Sequence, residues 1–161
     1  MPKELPHGLK LLTIWLLILL LVFLGFKAWE QQSQQSRVSV NPDQVVLRRA
    51  ADGHFHWPGE IDGVPVDFLV DTGASATALP EALARRAGLA ATGQVRSQTA
   101  AGVAVGWLAQ ANISLQGGVQ VQRLTVTVLP QLSTPLLGMD VLSKLHFIQQ
   151  GGELRIQTGP P

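Results

Sequence analysis

The hydrophobic and polar positions divide the chain into an unbroken apolar run near the N-terminus and a longer part with short alternations. Residues 11–26 read LLTIWLLILLLVFLGF and contain no charged side chain. In a helix these residues would extend about 24 Å, slightly less than the roughly 30 Å hydrocarbon core of a bilayer. Lys27 and Trp29 lengthen the run, because a lysine can reach the headgroups and a tryptophan favours the interface. The pattern therefore predicts a single transmembrane anchor over residues 11–29, after an N-terminal tail of residues 1–10.

Two other interpretations of the apolar run stay open. A cleaved signal peptide also combines a positive start with an apolar centre, although this run is long and no small-x-small cleavage site follows it. A buried helix of a globular domain is the third possibility, but no polar stripe runs along the segment. Lysines and arginines flank the run on both sides, so the charge pattern does not decide which side of a membrane the rest of the chain would face.

The remainder of the chain has the pattern of a β-rich domain behind a polar linker. Residues 30–36 read EQQSQQS, a low-complexity run that predicts a flexible linker, which we extend to residue 44. Beyond it, apolar alternations of a few residues are separated by turn residues, and the Asp62-Gly63 pair predicts a two-residue hairpin turn. This spacing indicates a closed or sandwich-like β fold over residues 45–157, followed by a C-terminal tail at residues 158–161.

The individual elements follow from the same pattern. A helix is predicted at residues 80–87, where Pro80 begins a run of helix-forming residues and Gly88 ends it. A second short helix is predicted at residues 139–145. Strands are predicted at residues 45–47, 54–61, 64–70, 94–99, 103–115, 119–129, 147–149 and 154–157.

Composition and charge exclude several kinds of chemistry. The chain has 161 residues, a formal net charge of +1 and no cysteine. Its length fits one modest domain with an extension, and so small a charge gives no reason to expect nucleic acid as a partner. Without cysteine there are no disulfides, thiolate metal sites or cysteine nucleophile, which is compatible with an oxidising compartment.

The histidine and serine patterns add no further site. His54 and His56 would share one face of a strand and could in principle ligate a metal, but His7 and His146 are isolated elsewhere in the chain. No metal site is therefore predicted. None of the serines lies in a Gly-x-Ser-x-Gly frame, so serine hydrolysis is not predicted either.

The most specific feature of the chain is an aspartate that directly follows an apolar strand. Phe68-Leu69-Val70 leads into Asp71-Thr72-Gly73. The strand would hold the backbone rigidly, Gly73 permits a turn that other residues resist, and Thr72 offers a hydroxyl for orienting hydrogen bonds. On its own, the tripeptide is also typical of an ordinary turn at the end of a strand.

With its flanks, the segment FLVDTGAS resembles the active-site signature of the retropepsin-like aspartic proteases, the family that includes the retroviral proteases. A second family feature, two apolar residues followed by glycine, recurs later in the chain as Leu136-Leu137-Gly138 and leads into MDVL. The resemblance extends over about residues 45–156. It implies an all-β fold with short helices, namely the closed acid-protease barrel. In that barrel the two motifs cross in a ψ-shaped arrangement.

The resemblance also implies roles for individual residues. Asp71 would be catalytic and Leu136, Leu137 and Gly138 would support it from below. The active-site loop would contain Thr72, Gly73 and Ala74, and a β-hairpin flap would have its tip at Ala100, Ala101, Gly102 and Val103.

A narrower resemblance concerns the location of the protein. Asp52-Gly53-His54-Phe55, the Asp62-Gly63 turn and Leu-Leu-Gly-Met look like a bacterial membrane-anchored subgroup of these proteins. This implies a single-pass protein of the bacterial inner membrane with its globular domain in the periplasm.

The number of active-site aspartates bears on the mechanism. Aspartic proteases need two carboxylates that share one proton, one to deprotonate the attacking water and the other to polarise or protonate the scissile amide. This chain has a single Asp-Thr-Gly. The expectation is therefore an endopeptidase without a cofactor that acts on peptides or proteins as a symmetric homodimer, with one Asp71 from each protomer. Attachment of both protomers to one membrane would raise their effective concentration.

The chain departs from the retroviral pattern at two positions beside these motifs. Ser75 stands where an acidic residue is usual, and Met139 stands where an arginine is usual. The ion pair that supports the viral dimer is therefore absent, and the flap tip has one glycine instead of several. These departures leave a second interpretation, a non-catalytic dimeric module on the same fold that binds an extended peptide by strand addition.

Overall fold

The computed structural model describes residues 7–35, 37–99 and 102–158. The chain separates into two compact units, Met1–Ser36 and Arg37–Pro161. Among the described residues, the first unit contains one helix, and the second contains eleven strands and two short helices.

Helix α1 of the first unit runs over His7–Gln35. It extends on both sides beyond the predicted segment 11–29 and continues into the glutamine-rich run that was predicted as a linker, because Glu and Gln are good helix formers. All side chains at residues 11–27 are exposed. Within the part of the chain that the structure describes, no helix combines the length and the apolar character needed to cross a membrane.

The second unit begins and ends in one four-stranded antiparallel sheet, in the order β1-β2-β11-β10. Leu47 and Val45 lie opposite Leu154 and Ile156, and all four side chains are buried. The first strand falls inside the span predicted as linker, because Val38 and its alternating neighbours pair with β2. The four strands are β1 (Val38–Asn41), β2 (Gln44–Arg48), β10 (His146–Gln150) and β11 (Glu153–Gln157).

The other seven strands form a second sheet in the order β3-β4-β9-β5-β8-β7-β6. Strand β3 also pairs with β7, through residues 59–61 and 113–115. Most neighbours are antiparallel, but β4 with β9 and β5 with β8 are parallel. The strands are β3 (His56–Ile61), β4 (Val64–Val70), β5 (Ala78–Pro80), β6 (Gly93–Thr99), β7 (Gly102–Leu115), β8 (Gln120–Leu129) and β9 (Leu136–Leu137).

Most of the predicted elements of this unit are confirmed. Strand β4 has the predicted bounds, and Asp62 and Gly63 both have positive φ, 45° and 81°, as a tight hairpin turn of this kind requires. The two helices are shorter than predicted, α2 at Glu81–Arg86 and α3 at Met139–Leu142. The prediction of an all-β domain with short helices is therefore confirmed, while the two shortest strands, β5 and β9, were missed.

The core of the second unit is one cluster of buried side chains that come from strands of both sheets. Trp57, Phe68, Leu79 and Leu137 are fully buried there. The indole N–H of Trp57 donates a hydrogen bond of 2.8 Å to the carbonyl oxygen of Gln116, so the largest core side chain keeps its polar group paired. This packing gives the residues that follow β4 a rigid base.

Candidate active site

Asp71 is the first residue after β4, and two neighbouring strands fix its backbone. Strands β4 and β9 run parallel, with Val70 opposite Leu137. The N–H of Asp71 donates to the carbonyl oxygen of Leu137 at 3.0 Å, and the N–H of Leu69 donates to that of Pro135 at 2.9 Å. The aspartate is therefore attached to the second of the two sequence motifs by its own backbone.

The residues after Asp71 fold back onto its side chain. We call residues 71–77 the active loop. Oδ1 of Asp71 accepts a hydrogen bond of 2.9 Å from the N–H of Gly73, and the carbonyl oxygen of Asp71 accepts one of 3.2 Å from the N–H of Ala74. The first of these bonds orients the carboxylate through Oδ1, and the second closes the turn of the backbone behind it.

Gly73 is needed for a different reason from the predicted one. Its φ is not in the left-handed region, so the turn itself does not demand glycine. A Cβ at this position would lie 3.2 Å from Oδ1 of Asp71, which is closer than most side chains allow. The small size of Gly73 thus makes room for the carboxylate beside the backbone N–H that orients it.

The second motif, Leu136-Leu137-Gly138, also contacts the active loop. We call residues 136–140 the second segment. The N–H of Met139 donates to the carbonyl oxygen of Ala74 at 2.8 Å. A Cβ on Gly138 would lie only 2.5 Å from the carbonyl carbon of Ala76, so no other residue fits without a backbone shift. The two motifs that the resemblance pairs are thus in backbone contact.

A buried polar group joins the same two stretches, and sequence reasoning missed it. The Thr77 hydroxyl donates to Oδ1 of Asp140 at 2.8 Å and accepts from the N–H of Gly138 at 3.2 Å, while the Thr77 N–H donates to Oδ2 of Asp140 at 2.9 Å. Thr72, to which the orienting hydroxyl was assigned, is exposed instead. No periodicity links Thr77 to Asp140, because they lie far apart in the chain.

A cleft of about 420 Å³ opens beside Asp71. The active loop forms one side of the cleft, and Ser97 and Gln98 of β6 contribute polar groups. Leu129, Leu132 and Leu136 add apolar surface. A carboxylate beside a cleft of this kind can act as a general base towards water or a bound ligand.

The predicted flap coincides with the hairpin of β6 and β7. The two strands pair from Gly93 opposite Leu108 to Thr99 opposite Gly102. Gly102 has a φ of 111° and Val103 is 65% exposed. Ala100 and Ala101, the other two residues of the predicted tip, lie outside the described residues.

The two positions that depart from the retroviral pattern differ in their surroundings. Ser75 is exposed and lines the cleft beside Asp71. Met139 is half-buried and packs against the hydrophobic core. The methionine therefore contributes to packing where an arginine would bring a charge.

His56 lies between two carboxyl groups near the start of β3. Its Nε2 is 2.8 Å from Oδ2 of Asp52, and its Nδ1 is 3.4 Å from Oδ2 of Asp67. Burial raises the pKa of Asp67 above its ordinary value, whereas the N–H of His54 and the ring of His56 lower the pKa of Asp52. Among the described residues, no group of three or more acidic or histidine side chains is arranged to hold a metal ion.

The chain matches a known family over most of the second unit. Residues 57–144, just over half of the chain, match the family model described as "gag-polyprotein putative aspartyl protease". The matched region contains the active loop, the hairpin of β6 and β7 and the second segment. The chain therefore belongs to this family of retropepsin-like aspartic proteases.

Similar chains occur in bacteria. An uncharacterized protein encoded 5′ of cobV in a Sinorhizobium species is 29% identical, and the match covers 94% of this chain and 74% of that protein. An uncharacterized protein of Rickettsia prowazekii is 29% identical over 53% of this chain, but the match covers only 42% of the Rickettsia protein.

Two solved structures share the fold. The crystal structure of a retropepsin-like aspartic protease from Rickettsia conorii has a TM-score of 0.58 and 25% identity, covering 74% of this chain and 93% of that one. The EIAV protease in complex with the inhibitor HBY-793 has a TM-score of 0.52 and 20% identity, covering 58% of this chain and 89% of that one. The similarity to the EIAV protease supports the fold alone.

Proposed function

We propose that this chain is a homodimeric aspartic endopeptidase, built on a closed acid-protease β-barrel, in which two Asp71 carboxylates form the catalytic dyad. The observation that carries the proposal is the position of Asp71. Its backbone is attached to the second segment, its Oδ1 accepts the Gly73 N–H, and it lines a cleft of about 420 Å³. Membership of the aspartic protease family supports the same chemistry.

The proposed mechanism needs no group beyond the two chains and water. One Asp71 is ionised and removes a proton from the attacking water, while the other is protonated and donates a hydrogen bond to the scissile carbonyl. The water oxygen bonds to the carbonyl carbon, and the C–N bond then breaks as the first Asp71 gives the removed proton to the leaving amine nitrogen. Two carboxylates a few ångströms apart do not both ionise readily, so they retain one proton between them. The substrate is an extended peptide or protein segment that enters the cleft, where leucines contact apolar side chains and Ser97 and Gln98 contact polar groups.

The dimer requirement predicts how activity depends on concentration. In a dilution series of the full chain, the activity per milligram should fall in proportion to concentration below the dimer dissociation constant and level off above it. Progress curves on a denatured protein substrate, together with light scattering, would measure both quantities. Adding excess Asp71→Asn chain should also suppress the wild-type activity, because a mixed dimer contains only one normal carboxylate.

Two outcomes would contradict the dimeric dyad. One is constant activity per milligram in solutions that light scattering shows to be monomeric. The other is undiminished activity in the presence of an Asp71→Asn chain that demonstrably forms mixed dimers. Addition of the wild-type chain in place of the variant is the matched control.

We also propose that residues 11–29 anchor the protein at the bacterial inner membrane, with the second unit in the periplasm, although no helix of the described residues has both the length and the apolar character of a membrane-crossing one. The exposed apolar side chains at residues 11–27 support the proposal, since they would otherwise contact water. After an alkaline carbonate wash of bacterial membranes, the full chain should remain in the pellet, whereas a chain of residues 37–161 should be released. Recovery of the full chain in the wash would contradict the anchor.

The periplasmic location has a test of its own. External protease added to spheroplasts should degrade the second unit, and protection of the second unit from the protease would contradict the periplasmic location.

A further inference from the structure

Thr77 lies at the end of the active loop and is a wholly buried polar residue, with no exposed surface. Three hydrogen bonds pair its polar atoms with the second segment. The hydroxyl contacts Oδ1 of Asp140 and the N–H of Gly138, and the Thr77 N–H contacts Oδ2 of Asp140. A buried hydroxyl and a buried N–H would each be costly without such partners.

The direction of these hydrogen bonds follows from which groups can donate. The N–H of Gly138 can only donate, so the hydroxyl oxygen of Thr77 accepts there and its proton goes to Asp140. The N–H of Thr77 also donates to Asp140. Asp140 must therefore accept at both of its oxygens, which a carboxylate does and an amide of the same shape does not.

These bonds act on the same backbone that carries Asp71. The carbonyl oxygen of Leu137, directly before Gly138, accepts the N–H of Asp71, and the N–H of Met139, directly after it, donates to Ala74. Thr77 and Asp140 thus stabilise the second segment next to Leu137 and Met139, the two residues whose backbone groups bond the active loop. Neither side chain lines the cleft, so neither would touch a substrate.

We propose that Thr77 and Asp140 are a positioning pair, in which the two acceptor oxygens of Asp140 hold the active loop so that the Asp71 carboxylate has its reactive orientation. The inference rests on the proposed peptidase function. Misplacement of a reacting group by about an ångström can cost about 10²-fold in rate, even when the cause lies outside the reacting groups. The pair therefore affects kcat and leaves substrate binding largely unchanged.

The test compares two nearly isosteric variants with a conservative one in the full chain. In Asp140→Asn and in Thr77→Val, kcat should fall about 10- to 100-fold at a temperature where both are fully folded, with little change in KM. Thr77→Ser keeps the hydroxyl and should retain a rate close to that of the wild type. The double variant should lose little more than either single variant, since the two residues act through one another. Asp62→Asn makes the same chemical change in an exposed carboxylate bonded to Asn112 and should leave kcat unchanged.

A second measurement does not depend on activity. Amide hydrogen exchange at Asp71 and Met139 should be about tenfold faster or more in Asp140→Asn and Thr77→Val than in the wild type, because their hydrogen bonds to Leu137 and Ala74 would be loosened. The exchange in Thr77→Ser should match the wild type. If Asp140→Asn does not fold, the comparison of Thr77→Val with Thr77→Ser decides the question.

The outcomes separate this inference from the proposed function. Unchanged kcat and unchanged exchange at Asp71 in the folded variants would overturn the positioning pair and leave the peptidase intact. A melting temperature that falls while kcat stays the same would show a structural role only, and would also overturn it. If the wild type shows no peptidase activity, but hydrogen exchange is faster in the variants than in the wild type, the proposed peptidase function would be contradicted. The role of Thr77 and Asp140 in holding the active loop would still stand.

Discussion

Replacing Asp71 with asparagine is expected to lower kcat/KM by about 10³-fold or more, because an amide cannot remove a proton from water and each dimer would lose both of its carboxylates. The fold should survive the change. The amide oxygen of asparagine can still accept the hydrogen bond that the Gly73 N–H donates to Oδ1 of Asp71. Asparagine therefore removes the general base but keeps the hydrogen bond that orders the active loop. Alanine would remove both the general base and this hydrogen bond.

Cleavage of a denatured protein mixture between pH 4 and pH 7 would measure this effect, with circular dichroism and light scattering to show that the variant is folded and dimeric. Asp43→Asn is the matched control, since Asp43 lies in the exposed turn between β1 and β2. Equal degradation by the wild type and by Asp71→Asn would exclude the proposed dyad. If neither protein degrades the mixture although both are dimeric, the peptide-binding module becomes the better account.

Gly138→Ala is expected to destabilise the second unit by about 1–3 kcal/mol or more, as overpacking of a closely packed site does. The added Cβ would lie 2.5 Å from the carbonyl carbon of Ala76 and 2.8 Å from the nitrogen of Thr77. Both contacts are with backbone, so one of the two segments must move. Any such shift also displaces Leu137, whose carbonyl oxygen holds the N–H of Asp71, and peptidase activity should fall with stability.

Thermal unfolding followed by circular dichroism would measure the loss, which corresponds to a decrease of several degrees in the melting temperature. Gly93→Ala is the matched control. Gly93 also lies in extended backbone without positive φ, but a Cβ there would meet no atom within 4 Å. It should change stability by no more than about 0.5 kcal/mol. A Gly138→Ala protein that melts with the wild type would contradict the close approach of the two segments.

The sequence alone was enough for the features that depend on neighbouring residues. Strand β4, the hairpin turn at Asp62-Gly63 and the helix that begins near Pro80 were predicted because alternation, turn chemistry and helix propensity are local properties. The same holds for Asp71 at the end of an apolar strand. The family followed from the two short motifs, since their residues stand together in the chain and can be recognised there.

Only the tertiary structure decided how the distant segments meet. Strands β5 and β9 have three and two residues, too few for any periodicity, and they exist because β4 and β8 provide pairing partners. The pairing of Val38 with β2 likewise placed a strand in a segment whose composition indicated a linker. The size limit at Gly138 comes from Ala76 and the role of Asp140 from Thr77. Sheet topology brings the two residues of each pair into contact, and the local preferences of these residues do not predict it.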